Sequence, residues 1–79
     1  MNTKDIRLKI EGIIDPSVNK TLKETDGIKH IGIDSDKDVV VLIITMEKKD
    51  SESEKKLKRE IAKAIKLDLG FKGVKIQLE

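Results

Sequence analysis

The chain has 79 residues, with 17 basic residues against 15 acidic ones and a formal net charge of +2. This length suits one small domain, and the near balance of charge lacks the strong basic excess of an obligate nucleic-acid or membrane-surface binder. Cysteine is absent and His30 is the one histidine, which excludes disulfides, thiol chemistry and zinc sites built on thiolates. Function must therefore come from surface shape, charge, backbone groups or a partner.

The N-terminal residues contain no long apolar stretch followed by a cleavage site. The longest apolar run, Val39 to Ile44, is too short to cross a bilayer. Because cysteine is also missing, we expect a soluble cytoplasmic protein with no membrane partner.

The first predicted element is a helix that ends before Pro16, because proline disfavours helical geometry in the residue before it. Thr3 is the expected N-cap, and Asp5 lies in the first turn, where the helix dipole favours a negative charge. An alternating strand pattern also occurs over residues 6–10 but covers fewer positions. The apolar residues follow the spacing of one helix face: Ile6, Ile10, Ile13 and Ile14.

Two strands are predicted in the middle of the chain, after a polar, loop-like segment from Ser17 to Gly27. Alternation over Ile28–Ile33 indicates a short strand, and Asp34–Asp38 indicates a turn. The run Val39–Met46 is so uniformly apolar that we expect a central strand buried on both faces.

A second helix and a last strand complete the chain. Ser51-x-x-Glu54 has the pattern of a capping box, and Gly70 suits the C-terminal cap. The helix face and the final strand are marked by apolar periodicity: Leu57, Ile61, Ala64 and Ile65, then Val74, Ile76 and Leu78. Residues 1–79 therefore form one α+β domain of order α-β-β-α-β, with helices on a three-stranded mixed sheet.

Three local patterns could indicate a binding site, and each has a simpler interpretation. Asp34, Asp36 and Asp38 have the spacing that opens a calcium loop, but Val39 stands where that loop needs glycine and Thr45 where it needs glutamate, so we predict a turn. Gly70–Gly73 matches the G-x-x-G of KH domains, yet it joins a helix to a strand rather than two helices. We interpret it as a helix cap and turn.

The second helix also has a basic outer face, formed by Lys55, Lys56, Lys58, Arg59, Lys63 and Lys66. Such a face could bind phosphates, so a small nucleic-acid-binding module is the alternative function. The i, i+4 pairs Glu52–Lys56 and Glu54–Lys58, however, are typical of a solvated helix face. The scarcity of aromatic residues also disfavours base stacking.

No catalytic or metal-binding residue can be assigned. His30 has no second histidine or cysteine to share a metal, and no nucleophile motif flanks it. No carboxylate pair is singled out by its spacing. We therefore predict that the chain is not an enzyme and that this domain binds no cofactor itself.

Several short segments carry a resemblance along nearly the whole chain. These are Ile14-Asp15-Pro16 at the end of the first helix, Gly27–Ile31 before an acidic turn, a valine-rich strand ending in Thr45, and Gly73–Leu78 at the close. In this order and spacing the chain resembles the small iron-sulfur assembly domain. That domain occurs in SufT-like and cytosolic iron-sulfur assembly proteins and as the N-terminal domain of Mrp/ApbC-type ATPases.

The chain departs from this family at the position that matters most for a cluster. Members often carry a cysteine followed by proline at the mouth of the second helix, where a thiolate could engage iron. The corresponding segment here, Lys49 to Ser51, has neither residue, and Ser17 replaces an acidic residue after Asp-Pro. The resemblance assigns family-site or interaction roles to Asp15, Pro16 and Thr45, with Ser51 as the degenerate cysteine position.

The resemblance implies a non-catalytic accessory or interaction domain of iron-sulfur cluster assembly or transfer. It implies a P-loop ATPase domain in cis, to which this chain would be N-terminal, and client or scaffold proteins as further partners. The iron-sulfur cluster and ATP then belong to a partner or to a domain outside this chain.

Overall fold

The computed structural model describes residues 2–79, in which helices pack on one face of a three-stranded sheet. The helices are α1 (Thr3–Ile10), α2 (Leu22–Thr25) and α3 (Ser51–Lys63), and α3 continues into a π-helical segment, Ala64–Asp68. The strands are β1 (Ile14–Asp15), β2 (Lys20–Thr21), β3 (Ile28–Asp34), β4 (Val39–Ile44) and β5 (Gly73–Leu78).

The main sheet has the strand order β3-β4-β5, with β3 antiparallel and β5 parallel to the central strand β4. Leu42 at the middle of β4 pairs with Ile31 on one side and Ile76 on the other. Helix α3 forms the crossover between the two parallel strands. The predicted α+β class, the mixed sheet and the α-β-β-α-β order are confirmed, with β1, β2 and α2 as small additions.

The hydrophobic core lies between the sheet and the helices. Val40, Leu42 and Ile44 of β4 are completely buried on the helix side. The alternate residues Val39, Val41 and Ile43 are only half-buried, because the described residues place no element over the other face. The prediction of a strand buried on both faces was therefore wrong. The core is completed by side chains from all three helices and the π-helical segment, among them Ile6, Ile10, Leu22, Leu57, Ile61 and Ile65.

Helix α1 is shorter than predicted. Its N-cap is Asn2, not the predicted Thr3. The Asn2 side chain accepts from the Asp5 N–H at 3.1 Å, and the Asp5 side chain accepts from the Asn2 N–H at 3.2 Å. It ends at Ile10, and residues 11–13 turn the chain into β1. Ile14 is consequently 45% exposed rather than on a helix face.

The segment predicted as a polar loop, residues 17–27, contains local structure. Strand β2 pairs with β1, and α2 follows at once. Thr21 caps α2 by accepting from the Glu24 N–H at 3.1 Å, while Glu24 accepts from the Thr21 N–H at 3.0 Å. That bond from the Thr21 backbone lowers the pKa of Glu24. The Thr-x-x-Glu pattern is the signal for this helix in the sequence.

Helix α3 begins where expected but has a different cap. Asp50, not Ser51, is the N-cap, and its Oδ1 accepts from the Ser53 N–H at 2.9 Å. This bond holds the pKa of Asp50 below its ordinary value of 3.8. At the other end, Gly70 adopts a φ of +81°, the left-handed geometry that favours glycine after a helix, as predicted.

None of the helices within residues 2–79 is both long and apolar enough to cross a membrane.

Replacing Asp50 with alanine removes the acceptor that satisfies the first turn of α3. We expect Asp50→Ala to lower the melting temperature by roughly 5 °C, as is usual for the loss of an N-cap in a domain of this size. Because the pKa of Asp50 is lowered in the folded chain, the ionised cap's advantage is present above pH 3.8 and is lost as the pH falls through the folded pKa. Thermal melts followed by circular dichroism measure the effect.

Ser51→Ala is the matched control, since Ser51 is exposed and is not the cap. Its melting temperature should stay within about 1–2 °C of the parent protein. If Ser51→Ala destabilised the chain as much as Asp50→Ala, the assignment of the cap to Asp50 would be wrong.

Candidate functional site

Asp15 is the most unusual side chain of the described chain because its carboxylate is completely buried. Its Oδ1 accepts from the Ser17 hydroxyl at 2.6 Å and from the Ser17 backbone N–H at 2.9 Å. Its own backbone carbonyl accepts from the Asn19 N–H at 2.9 Å. Within residues 2–79 the second oxygen, Oδ2, has no hydrogen-bond partner. Burying an oxygen without a partner costs free energy. The two bonds that Oδ1 accepts offset part of that cost and hold the turn in place.

Ser17 connects this turn to the segment that leaves the central strand. Its hydroxyl donates to Asp15 and accepts from the Lys48 backbone N–H at 3.3 Å, across 31 positions of sequence. In the resemblance to the iron-sulfur assembly domain, Ser17 is only a departure from the family pattern. The structure makes it a positioning residue. The signal that could have found it is Asp15-Pro16-Ser17, since Asp and Ser two positions apart are typical of an Asx turn.

Thr45 lies at the end of β4, and its backbone N–H donates to the Gly27 carbonyl at 2.7 Å. A Cβ at Gly27 would lie 2.9 Å from the Thr45 carbonyl oxygen, so this approach requires glycine. Pro16 is half-buried beside Asp15, whereas Ser51 is exposed at the start of α3. No side-chain hydrogen bond described in residues 2–79 joins Thr45 or Ser51 to Asp15.

The segment that replaces the cysteine position is exposed and is held by its own contacts. Lys49 Nζ donates to the Leu78 carbonyl at 2.8 Å and forms an ion pair with Glu54 at 3.5 Å. Asp50 caps α3. A charged and capped segment therefore stands where the resemblance expects a thiolate near a helix N-terminus.

A groove of about 470 Å³ lies between α3 and the residues on either side of Asp15 in the sequence. Its apolar wall comes from Ile13, Ile14 and Pro16, and its polar wall from Lys56 and Glu60 of α3. Ile14 is one of the few large apolar residues with a substantial exposed surface. The site thus combines a buried carboxylate, a half-apolar groove and the exposed Lys48–Ser51 segment at one end of the sheet.

The other candidate sites hold no ligand geometry. No group of three or more His, Asp or Glu residues within the described chain could hold a metal ion. Residues 35–38 form the predicted turn between β3 and β4, in which Asp34 accepts from the Lys37 N–H at 3.3 Å and Asp38 has a φ of +58°. His30 is exposed on β3.

The basic outer face of α3 is exposed along its length, and Phe71, the one aromatic residue, is half-buried against the core. The sequence predicted an ion pair between Glu54 and Lys58. In the structure Glu54 pairs with Lys49 instead. Among residues 2–79 no aromatic side chain lies on the basic face, which disfavours base stacking. Nucleic-acid binding stays a prediction.

Comparison with known proteins locates the chain by its fold. No family model and no curated protein matches the sequence. Among solved structures, a crystal structure of a domain of unknown function, DUF59, from Bacillus anthracis superimposes with a TM-score of 0.80 and 12% sequence identity. The match covers 96% of this chain and 72% of the other. The two chains share a fold. At this identity the similarity extends to architecture alone.

We expect the Asp15–Ser17 pair to be a structural determinant of the site. Asp15→Ala should lower the free energy of unfolding by about 2 kcal/mol, because the half-buried hydroxyl and backbone N–H of Ser17 both lose their acceptor. Ser17→Ala should cost about 1 kcal/mol, because it removes the two bonds of the hydroxyl, to Asp15 and to Lys48, while the backbone N–H still donates to Asp15. Urea denaturation followed by circular dichroism measures both values.

Ser35→Ala in the exposed turn between β3 and β4 is the control, with an expected change of less than about 0.5 kcal/mol. An Asp15→Ala variant as stable as Ser35→Ala would contradict the role assigned to the carboxylate.

Proposed function

We propose that this chain is a non-catalytic accessory domain of iron-sulfur cluster assembly or transfer. It would act as the N-terminal domain of an Mrp/ApbC-like P-loop ATPase and bind client or scaffold proteins. The observation that carries the proposal is the buried Asp15, fixed by Ser17 beside the segment that leaves β4, in a fold shared with the DUF59 domain. The functional class of the proposal comes from the resemblance of the segments around Asp15, Thr45 and Gly73–Leu78 to the iron-sulfur assembly domain.

The residues present do not suit a bound cluster. Iron-sulfur clusters are held mainly by cysteine thiolates, and the chain contains no cysteine. Lys49, Asp50 and Ser51 occupy the corresponding segment with an ammonium group, a helix cap and a hydroxyl. A cluster is therefore cargo that a partner carries, and this domain contributes a surface.

That surface has two parts that differ in chemistry. The groove beside Pro16 offers apolar side chains from Ile13 and Ile14. The neighbouring Lys48–Ser51 segment offers exposed charge, with Lys48 fixed through its backbone to Ser17. An apolar centre flanked by charged residues is the usual composition of a protein-binding patch. The proposal therefore assigns docking of the ATPase domain or of a client to this end of the sheet.

Reconstitution with ferrous iron and sulfide under anaerobic conditions tests whether this chain holds a cluster. We expect the desalted protein to retain no stoichiometric iron or sulfide and to show no cluster absorbance. A ferredoxin, which holds its cluster with cysteine thiolates, serves as the positive control. Stable, stoichiometric iron and sulfide on this chain would overturn the assignment of the cluster to a partner.

Binding in trans tests the docking assignment. An Mrp/ApbC-like ATPase that lacks its own N-terminal domain should bind the chain, and Lys48→Glu should weaken that binding about tenfold because it reverses a charge at the docking surface. Isothermal titration calorimetry measures the affinity.

Lys37→Glu is the matched control, since Lys37 is also exposed but lies in the turn at the opposite end of β4. It should change the affinity less than about twofold. Absence of binding, or an equal loss in both variants, would contradict docking at the Asp15 end of the sheet.

A further inference from the structure

The outer edge of β5 is an unpaired strand edge. On its inner side the strand pairs with β4, and no other strand of residues 2–79 pairs with its outer side. The Glu79 N–H donates to the Ile44 carbonyl at 2.9 Å, and the Glu79 carbonyl accepts from the Met46 N–H at 3.3 Å. The N–H and C=O groups of successive residues alternate between the two sides of a strand. Those of the even-numbered residues in β5 therefore point away from β4. These are Val74, Ile76 and Leu78.

The same residues carry an incompletely covered apolar stripe. Val74, Ile76 and Leu78 pack against the core from the helix side of the sheet but are only half-buried. Lys75 and Gln77 project from the open face and are exposed. The edge therefore presents outward backbone groups, apolar side chains on the helix side of the sheet and polar side chains on its open face.

One outward backbone group is already bound by a side chain, because the Lys49 ammonium group donates to the Leu78 carbonyl at 2.8 Å. The edge can thus accept donors from outside the strand. Lys49 itself is exposed and is also paired with Glu54, so a backbone donor could replace it at Leu78 while that ion pair remains.

The opposite edge of the sheet is protected and β5 is not. Strand β3 has a register shift between Ile28 and His30, its own Lys29 is exposed, and Lys4 and Arg7 of α1 lie beside it. Irregular pairing and lysine side chains are devices by which proteins block the addition of strands to an edge. Strand β5 pairs with β4 in a regular register over its whole length. A partner strand would therefore add at β5.

We propose that the occupant of this edge is a second copy of the chain, with β5 paired antiparallel to β5 across a two-fold axis at Ile76. This pairing sets Ile76 opposite Ile76 of the second copy, and Val74 opposite Leu78 of the second copy. On the open face it sets Lys75 opposite Gln77 of the second copy. The two sheets join into one six-stranded sheet. On its helix side, the half-buried Val74, Ile76 and Leu78 of the two copies contact each other.

The register follows from hydrogen bonding and charge. With the axis at Ile76, all three outward-pointing residues of each strand form bonded pairs. With the axis at Lys75, the two Lys75 side chains would lie directly opposite each other, and only two bonded pairs would form. In the proposed register, Lys75 lies opposite Gln77 of the second copy, so the two Lys75 side chains are separated to diagonal positions, and Lys75 is also diagonal to Glu79 of the second copy, which has the opposite charge.

This contact does not depend on the proposed function, because it lies at an edge strand and not in the groove beside Asp15. Sedimentation equilibrium of the parent chain from micromolar to millimolar concentration should give a reversible monomer–dimer equilibrium. Ile76→Pro should weaken dimerisation at least about tenfold, because proline removes an outward N–H while the bonds to β4 remain. A parent chain that stays monomeric at millimolar concentration would overturn the proposal.

Charge reversal tests the pairing without introducing proline. Lys75→Glu and Glu79→Lys should each weaken dimerisation about threefold, and the double variant should recover the parent affinity. Circular dichroism verifies that each variant is folded. If the double variant lost as much dimer affinity as the two single variants together, the diagonal contact between Lys75 and Glu79 would be contradicted.

The absence of native cysteine allows a direct test of register. Bonded antiparallel pairs have Cα atoms about 5.5 Å apart, within the range of a disulfide. Ile76→Cys should therefore form an intermolecular disulfide when incubated with oxidised glutathione. Lys75→Cys should not, because the two residues are displaced along the strands beyond disulfide reach.

Equal cross-linking of Ile76→Cys and Lys75→Cys would overturn the register. A dimer that survives Ile76→Pro but dissociates in Val41→Ser would also overturn the proposal, because it would assign the contact to the open face of the sheet.

Discussion

The pairing of β4 with a strand on each side is the constraint on which the rest of the structure depends. Its antiparallel neighbour β3 needs only a short turn, whereas its parallel neighbour β5 needs a crossover, and that crossover is α3. Because α1 and α3 pack on the same face, Val40, Leu42 and Ile44 become the floor of the core. Within residues 2–79, no element covers the opposite face of the sheet and no strand pairs with the outer edge of β5.

Apolar periodicity predicts the architecture because it reflects burial. The alternation in β3 and β5, the helical spacing in α3 and the short link before β5 are enough for the mixed sheet. Periodicity fails near Ile13 and Ile14, where helical spacing occurs by chance in a turn and a short strand. A run of six apolar residues likewise does not show whether one or both faces of β4 are buried. That depends on which faces of the sheet the helices pack against, and among residues 2–79 they pack against one.

The candidate site was less predictable than the fold. A resemblance can single out Asp15 and Pro16, but it compares residues by type and therefore treats Ser17 as a loss. The bond from the Lys48 backbone to the Ser17 hydroxyl joins positions far apart in sequence and involves a backbone group, so no side-chain pattern records it. Asp50 was missed for a related reason. Asp and Ser adjoin at this helix start, and only geometry decides which is the cap.

The site and the free edge of β5 meet at Lys49. Its ammonium group binds the Leu78 carbonyl at the edge, while its neighbour Lys48 is tied to Ser17 and so to Asp15. A strand that displaced Lys49 from Leu78 would remove one contact of an ammonium group that lies within the proposed docking surface and would leave its ion pair with Glu54. Occupation of the edge and binding at the groove would then be linked through the Lys48–Asp50 segment. Such linkage is reciprocal, so a ligand at the groove would change edge pairing by the same factor.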